Sequence, residues 1–555
     1  MKIKIYIILL LVLNACAIQK PPSGGPPDTV PPEILSTEPH NMVTNFDGDY
    51  VRFEFSKYMS KSQVIENLFI SPDIKVNYDW SGKKLDIEFL EELKPQTTYS
   101  ISLGTDYSDL HGNKPEISYS IIFSTGNIID SGKIAGKLFD NNADGTFIFA
   151  YYLADIKPDT LDPKHTKPTY RTQIGSNGLF VLEALKPGKY RIFAVKDVMK
   201  DGQYDHGIDG FASANNDAVV NDTLQPKILL KSSKAIDDTG PMLYSVEALT
   251  QSTVLAEFNE SLDSSTVSHN TFIIRDNLHT KQIPAKTAFL NNGTNNQVVI
   301  ITGRILDTIP QWNLEVVSEG NYALRDSSGN IIQDTVASAF FYAVPEQDTN
   351  DLKLIMTIPA DSSDNNPTNN SIDFIFNNSI IEKKNILKTH LIKTNDNSEI
   401  KYITTFPQEN ILRIEPSDNL KSVSEYKIEI ENFFEDSDST LQLVFKTADE
   451  RNYGGLAGIV VDSSDYSGNY LITLYSEEND KVFNCISTDK KWKFKHLIPG
   501  NYQIEISSDT NNNGKYDYGY PFPWQPSEKF YRLPGTLHIK ARWTVEDFKI
   551  IYHGK

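Results

Sequence analysis

Val51-Arg52-Phe53-Glu54-Phe55 alternates apolar and charged residues and runs into Ser56-Lys57-Tyr58-Met59. A period of two places Val51, Phe53 and Phe55 on one face, so the segment reads as a half-buried strand ending in a turn. The same phrase returns twice. Val254-Leu255-Ala256-Glu257-Phe258 leads into Asn259-Glu260-Ser261-Leu262, and Ile372-Asp373-Phe374-Ile375-Phe376 leads into Asn377-Asn378-Ser379-Ile380.

Working outward, the three copies stay in step. Leu85-Asp86-Ile87-Glu88-Phe89 corresponds to Val298–Ile301 and to Leu412-Arg413-Ile414-Glu415. Next come Tyr99-Ser100-Ile101-Ser102-Leu103, Trp312-Asn313-Leu314-Glu315-Val316 and Tyr426-Lys427-Ile428-Glu429-Ile430. A turn follows in the first two copies, Asp109-Leu110-His111-Gly112-Asn113 and Asp326-Ser327-Ser328-Gly329-Asn330; the third has Glu435-Asp436-Ser437-Asp438 there. Each copy closes on another alternating strand, such as Tyr119–Thr125 or Leu441–Thr447. About seven short strands in ~100 residues, separated by turns, describe a β-sandwich. The set resembles the bacterial Ig-like domains of S-layer proteins.

A second repeat occurs twice. Ile134-Ala135-Gly136-Lys137-Leu138-Phe139-Asp140 parallels Leu456-Ala457-Gly458-Ile459-Val460-Val461-Asp462. Further on, Leu185-Lys186-Pro187-Gly188-Lys189-Tyr190 parallels Leu497-Ile498-Pro499-Gly500-Asn501-Tyr502. Pro presets φ for a tight turn and Gly accepts φ > 0, so this core reads as strand, turn, strand. It resembles carboxypeptidase regulatory-like and collagen-adhesin B-type modules, which are small transthyretin-like sandwiches. That resemblance implies spacers or binding domains without catalytic groups of their own.

The expected fold class is therefore all-β: tandem β-sandwich modules, Ig-like and transthyretin-like, behind a lipoprotein signal peptide and a tether. The expected boundaries are 1–15 signal peptide, 16–29 tether, 30–126 Ig-like domain 1, 130–232 regulatory-like module 1, 237–345 Ig-like domain 2, 350–449 Ig-like domain 3 and 453–552 regulatory-like module 2. A final strand around Val545–Tyr552 leaves little chain for a second anchor.

The N-terminus sets the expected location. Lys2 and Lys4 precede an apolar run from Ile5 to Leu13, too short for a bilayer span, which takes ~20 residues, and suited to the core of a secretory signal. The run ends in Leu13-Asn14-Ala15-Cys16, which resembles the bacterial lipobox; the resemblance implies that Cys16 becomes a lipidated N-terminus. The following Gln19-Lys20-Pro21-Pro22-Ser23-Gly24-Gly25-Pro26-Pro27-Asp28 and Pro31-Pro32 have no apolar face and read as a partly polyproline tether. This start resembles lipoproteins of Bacteroidota-type bacteria. No acidic cluster follows Cys16 directly, which favours the outer over the inner membrane and leaves the face open.

Composition agrees with a chain of folded modules. At 555 residues it exceeds what one core supports, and 39% hydrophobic with 11% aromatic residues is ordinary for folded protein. A net charge of −20 argues against nucleic-acid binding and against electrostatic adhesion to anionic lipid. It is compatible with bound divalent cations, but more often such acidity only keeps a surface soluble. Only two cysteines exist; with Cys16 lipidated, Cys485 in Val482-Phe483-Asn484-Cys485-Ile486 has no disulfide partner and reads as a packed thiol.

The candidate metal site follows the Pro-Gly strand of each regulatory-like module. Asp509-Thr510-Asn511-Asn512-Asn513-Gly514-Lys515-Tyr516-Asp517 puts oxygen ligands Asp509, Asn511, Asn513 and Asp517 at loop positions 1, 3, 5 and 9, with Gly514 at 6. This resembles the first part of an EF-hand calcium loop, but Tyr520 stands where the bidentate acid would be. In the first module Asp197, Asp201 and Asp205 align with Gly202, while Met199 replaces a ligand. An Asx-rich hairpin loop without metal is the other reading of both. Trp524, in Pro521-Phe522-Pro523-Trp524-Gln525-Pro526, is a candidate for stacking on a sugar or peptide, or for packing on its own module.

No His-Glu-x-x-His, Cys-x-x-Cys, Gly-x-Ser-x-Gly or Gly-Lys-Ser/Thr motif is present, and no catalytic residue is assigned. The expectation is a non-enzymatic cell-envelope lipoprotein, a binding or structural scaffold whose partner is a glycan, peptidoglycan or another envelope protein. The competing readings are an accessory glycan-active enzyme, disfavoured because repeats use nearly the whole chain, and a calcium-stiffened surface spacer.

Overall fold

The computed structural model describes residues 28–552 except 176, 222–224, 279, 309–310, 349–351, 384–386, 432–439 and 464–465. The signal peptide, Cys16, the tether up to residue 27 and the Glu435–Asp438 turn lie outside the described residues. The chain forms two compact units. One holds the described residues up to Lys234 together with Tyr518–Ser527; the other holds Ala235–Asp517 and the chain from Glu528 onward.

In the first unit the Ig-like module comprises β1 (Ile34–Glu38), β2 (Tyr50–Phe55), β3 (Leu68–Ser71), β4 (Val76–Ser81), β5 (Lys84–Phe89), β6 (Thr98–Leu103) and β7 (Tyr119–Ser124). Sheet β1-β2-β5-β4 packs on sheet β3-β6-β7. The alternation in β2 does what its pattern requires: Val51, Phe53 and Phe55 are wholly buried in a core shared with Leu85, Ile87, Tyr99, Ile101 and Phe123. On the outer face Arg52 makes a two-pronged pair with Asp86 across β2 and β5, at 2.6 and 2.7 Å.

The sandwich module that follows comprises β8 (Gly132–Phe139), β9 (Phe147–Tyr152), β10 (Tyr170–Gln173), β11 (Leu179–Leu185), β12 (Gly188–Lys196), β13 (Gly210–Ser213), β14 (Ala218–Val220) and β15 (Lys227–Lys231). Sheet β11-β8-β15 covers sheet β10-β9-β12-β13, with β14 also paired to β12. Strands β8 and β15, the first and last, run parallel from Ala135 opposite Lys227 to Phe139 opposite Lys231. The two modules of this unit are joined by Gln173, almost fully buried, whose Oε1 accepts the backbone N–H of Thr105 (2.9 Å) and of Asp106 (3.3 Å). Phe69 meets Phe147 edge-on at 5.2 Å beside it.

In the second unit, strands Leu243–Ala248, Thr253–Phe258, Gln297–Thr302, Gln282–Leu290, Phe272–Asp276, Gln311–Val316 and Ser338–Tyr342 follow one another in a single hydrogen-bonded path. The sheet folds over because Gln282–Leu290 pairs with Phe272–Asp276 through its first half and with Gln297–Thr302 through its second, with a register shift between Ala285 and Thr287. Such an irregularity bends a strand and lets it pass from one layer to the other. The next module keeps two sheets, Leu354–Ile358, Ile372–Phe376, Ile411–Pro416 and Tyr402–Thr405 over Ser363–Asn366, Leu441–Thr447, Glu425–Glu431, Lys388–Lys393 and Ser398–Glu399. Glu409 ties it to the preceding module of the unit, accepting from Ala288 N (3.1 Å), His269 Nδ1 (2.6 Å) and the Thr287 hydroxyl. In the last module Gly454–Asp462 lies between Lys491–Leu497 and the parallel strand Thr544–Tyr552, over a sheet built on Asn469–Ser476 and Gly500–Asp509.

The repeats share an aromatic device at each fold's corner. Tyr99 Oη accepts the Lys94 N–H (2.9 Å) and Tyr426 Oη the Lys421 N–H (2.7 Å), each five residues upstream. Trp312 occupies the same place with reversed polarity: its Nε1–H donates to the Asp307 carbonyl, also five residues upstream, at 2.9 Å. This is the geometry of the tyrosine corner of Ig-like sandwiches. The two modules with the Pro-Gly turn do it differently. Tyr190 Oη donates to the Lys186 carbonyl (2.6 Å) and Tyr502 Oη to the Ile498 carbonyl (2.7 Å), bridging the Pro-Gly turn. Gly188 must be glycine: its φ is +153°, and a Cβ would stand 2.3 Å from the Tyr152 ring. Tyr502→Phe should cost the last module about 1 kcal/mol by orphaning the Ile498 carbonyl. That is a fall of roughly 4–8 °C in one calorimetric transition, with the others unmoved.

Candidate functional site

The loop after each Pro-Gly strand is organised around carboxylates. In the last module Asp509, buried at the end of Gly500–Asp509, accepts the N–H of Asn513 on Oδ1 (3.0 Å) and of Gly514 on Oδ2 (3.1 Å). Asn511 Oδ1 accepts the same Asn513 N–H at 3.1 Å. The Asn511 amide donates to Asp517 Oδ2 (2.7 Å), and the Asn513 amide reaches both Asp517 oxygens at 3.2 Å. All four sequence-predicted residues are brought together, but closed on one another by protein hydrogen bonds, with the two amides presenting N–H toward Asp517. Gly514 has φ +72° and turns the chain at the sixth position.

In the first module Asp197 Oδ2 accepts the Gly202 N–H (2.8 Å) and Oδ1 the Asp201 N–H (3.3 Å). Asp201 Oδ1 accepts the Gln203 N–H at 2.9 Å. Burial pushes the Asp197 carboxyl above its usual range. Asp205 contributes its backbone N–H, donated to Asp209 Oδ2 at 2.8 Å.

That last contact exposes a part of the site the sequence reading missed. Asp209, wholly buried, accepts the Val198 N–H on Oδ1 and the Asp205 N–H on Oδ2, both at 2.8 Å. In the last module Glu528, also buried, accepts the Thr510 N–H on Oε1 (2.6 Å) and the Asp517 N–H on Oε2 (3.2 Å). Val198 and Thr510 are the second residues of their loops, Asp205 and Asp517 the ninth. One carboxylate from beyond each loop thus clamps the same two backbone positions. Burial pushes both Asp209 and Glu528 upward in pKa, partly offset by the N–H donors they accept.

The Asp-x-x-Gly-Asn turns of the first two Ig-like modules are a second repeated loop. Asp109 Oδ1 accepts the N–H of His111 (2.8 Å) and Asn113 (2.9 Å), and Oδ2 the Asn113 amide (2.9 Å). Asp326 Oδ1 accepts from Ser328 and Asn330 (both 2.8 Å), and Oδ2 from the Asn330 amide (2.9 Å). Burial would raise the Asp109 carboxyl, but these donors and Lys57 hold it well below the usual range. Among the described residues, acid-containing groups close enough to share a metal are Asp28, Asp109 and His111, and Asp237, Glu260 and Asp326.

Trp524, although it lies within the last module's stretch of sequence, belongs with the first unit. The Arg191 guanidinium lies over its ring at 3.7 Å, and its Nε1–H donates to Ser213 Oγ at 3.1 Å. Arg191 is in turn held by Asp217 at 3.0 and 3.2 Å. One face of the ring proposed for ligand stacking is therefore taken by a cation–π contact. Cys485 is half-buried against the last module's core, its Sγ 3.5 Å from the Lys493 carbonyl.

A family profile of bacterial Ig-like domains matches residues 28–125 and 348–447, less than half of the chain. The chain thus contains bacterial Ig-like modules. No curated protein matches the chain. Among solved structures, domains 1–6 of the bacterial surface-layer protein SbsC align with 8% identity and TM-score 0.16, over 88% of this chain and 66% of that one. The N-terminal part of SbsC aligns with 10% identity and TM-score 0.17, over 38% of this chain and 44% of that one. The Bacillus anthracis TIE protein aligns with 11% identity and TM-score 0.14, over 96% of this chain and 76% of that one. The chain spans less than two thirds of the first two of these.

Proposed function

We propose that this chain is a non-enzymatic cell-envelope lipoprotein, a scaffold of sandwich modules held at the outer membrane by lipid on Cys16. The observation that carries the reading is serial order: a Leu-Asn-Ala-Cys lipobox pattern, a Pro/Gly tether, then sandwich modules one after another, each with its own hydrophobic core. Acyl chains contribute about 0.8 kcal/mol per buried CH₂, so more than one gives lasting attachment. The modules then present sheet edges and loops to a glycan, peptidoglycan or another envelope protein. The test is metabolic labelling with an alkyne fatty acid in a bacterial host, followed by membrane fractionation. Wild type should carry label and pellet with membranes, while Cys16→Ala should be unlabelled and leave the membrane fraction. An unlabelled, soluble wild type would sink the lipoprotein reading.

The Asp509 loop favours a second reading, a spacer stiffened by calcium. Its four side chains already converge and need only turn their amide oxygens inward. Calcium at 100-fold excess over Kd would raise the last module's stability by about 2.7 kcal/mol. In calorimetry that rise should vanish in Asp517→Ala and persist in Asp201→Ala. A melting profile identical in calcium and in chelator, with wild type and variant superimposed, would remove calcium from this loop.

A further inference from the structure

The first two Ig-like modules share a frame in which one residue has been exchanged for its opposite. In the first, the Lys57 ammonium donates to Asp28 Oδ2 (2.7 Å), to Asp109 Oδ2 (3.0 Å) and to the Val30 carbonyl. The Asp28 carbonyl accepts the Asn113 amide at 3.0 Å. A cation is thus held between two carboxylates, one of them wholly buried, and a carbonyl.

The middle module rebuilds the strand pairing, the bridge and the asparagine contact of this frame. Leu243 pairs with Phe258 as Ile34 pairs with Phe55, with a register shift just after each. Leu262 bridges Asp326 as Met59 bridges Asp109. The Asn330 amide donates to the Asp237 carbonyl at 3.0 Å, as Asn113 does to that of Asp28. Where Lys57 stood, Glu260 now stands. The three carboxylates of Asp237, Glu260 and Asp326 each place an oxygen within 4.8 Å of the others. No basic side chain is paired with any of them among the described residues.

We infer that the middle Ig-like module binds a divalent cation of the calcium type through Asp237, Glu260 and Asp326, at the place its neighbour fills with the Lys57 ammonium. Three carboxylates at such distances repel one another, and a cation between them relieves that repulsion as the Lys57 ammonium does in the neighbour. The donors are all oxygen, without nitrogen or sulfur, which suits a hard ion completed by water. This site is separate from the Asp509 and Asp197 loops and does not depend on the proposed scaffold role.

The two modules suggest reciprocal swaps in the full chain, with bound calcium counted by equilibrium dialysis against the free metal ion. Glu260→Lys should lose one ion per chain and, in chelator, melt no lower than wild type, because the introduced ammonium replaces the missing charge. Lys57→Glu should gain one ion per chain. Should Glu260→Lys fail to fold, Glu260→Gln keeps the shape and must weaken the binding of one ion. A calcium count unchanged by folded Glu260→Lys, or by Glu260→Gln where the lysine variant does not fold, overturns the inference whatever the Asp509 loop binds; so does a folded Lys57→Glu that gains no ion.

Discussion

Trp312→Ala is expected to destabilise the middle Ig-like module by about 3–5 kcal/mol. The indole is fully buried in that module's core and is the largest of the chain's wholly buried side chains. Its loss removes the transfer free energy of the ring, leaves a cavity, and strands the Asp307 carbonyl that accepts its Nε1–H. Because the chain is a series of modules, unfolding is not a single two-state event, and calorimetry should resolve separate transitions. One of them should fall by more than ~10 °C. Trp312→Phe separates the two contributions: it fills most of the volume but lacks the N–H, and should lose much less. Trp312→Tyr would restore the side chain found in the sister modules, where the hydroxyl accepts rather than donates. If Trp312→Ala melts as wild type does, the residue does not sit in the core described.

The second large effect is expected at the loop clamps. Asp209→Ala orphans the backbone N–H groups of Val198 and Asp205, and Glu528→Ala those of Thr510 and Asp517. A fully buried donor left without a partner costs roughly 1–3 kcal/mol; here Val198 and Thr510 are exposed and Asp205 and Asp517 half-buried, so water offsets part of the loss and either variant should lose about 1–3 kcal/mol. Faster amide hydrogen exchange should be confined to the matching loop, 197–205 or 509–517. The pH dependence has a definite sign. Burial raises the Asp209 pKa in the folded protein, so the native state holds that proton more tightly than the unfolded chain does. Asp209 therefore favours the fold most in acid, and its contribution declines as pH rises through the raised value. The gap between wild type and Asp209→Ala should be widest in acid and narrow toward neutral pH. A gap that widens with pH would contradict the assignment.

The sandwich architecture was legible because burial on one face of a strand writes itself into every second residue, as at Val51, Phe53 and Phe55. The equivalence of Tyr99, Trp312 and Tyr426 was legible for the same reason, although the reversed hydrogen bond of Trp312 was not. The Pro-Gly-x-Tyr signature showed the turn but not that Tyr190 and Tyr502 reach back across it. The clamps escaped because a carboxylate that closes a loop from outside has no fixed spacing: Asp209 follows Asp205 closely, while Glu528 lies well beyond Asp517. The Asp237, Glu260 and Asp326 cluster escaped because its members come from three separate segments, and only strand pairing brings them together. Trp524 could not be placed from its own segment, since the groups that hold it, Arg191 and Ser213, are more than three hundred residues away in the chain.

The parallel pairing of first and last strands has a mechanical meaning. In the second module β8 and β15 lie side by side and point the same way, and in the last module Gly454–Asp462 and Thr544–Tyr552 do the same. Tension applied at the two ends of such a module pulls neighbouring strands in opposite directions along their length. The interstrand hydrogen bonds are then sheared together instead of being unzipped one at a time. The third Ig-like module places Ser363–Asn366 parallel to Leu441–Thr447, and the first bridges Val43 to Phe123 in the same sense. Modules built this way resist stretching along the chain better than modules whose terminal strands would unzip one hydrogen bond at a time.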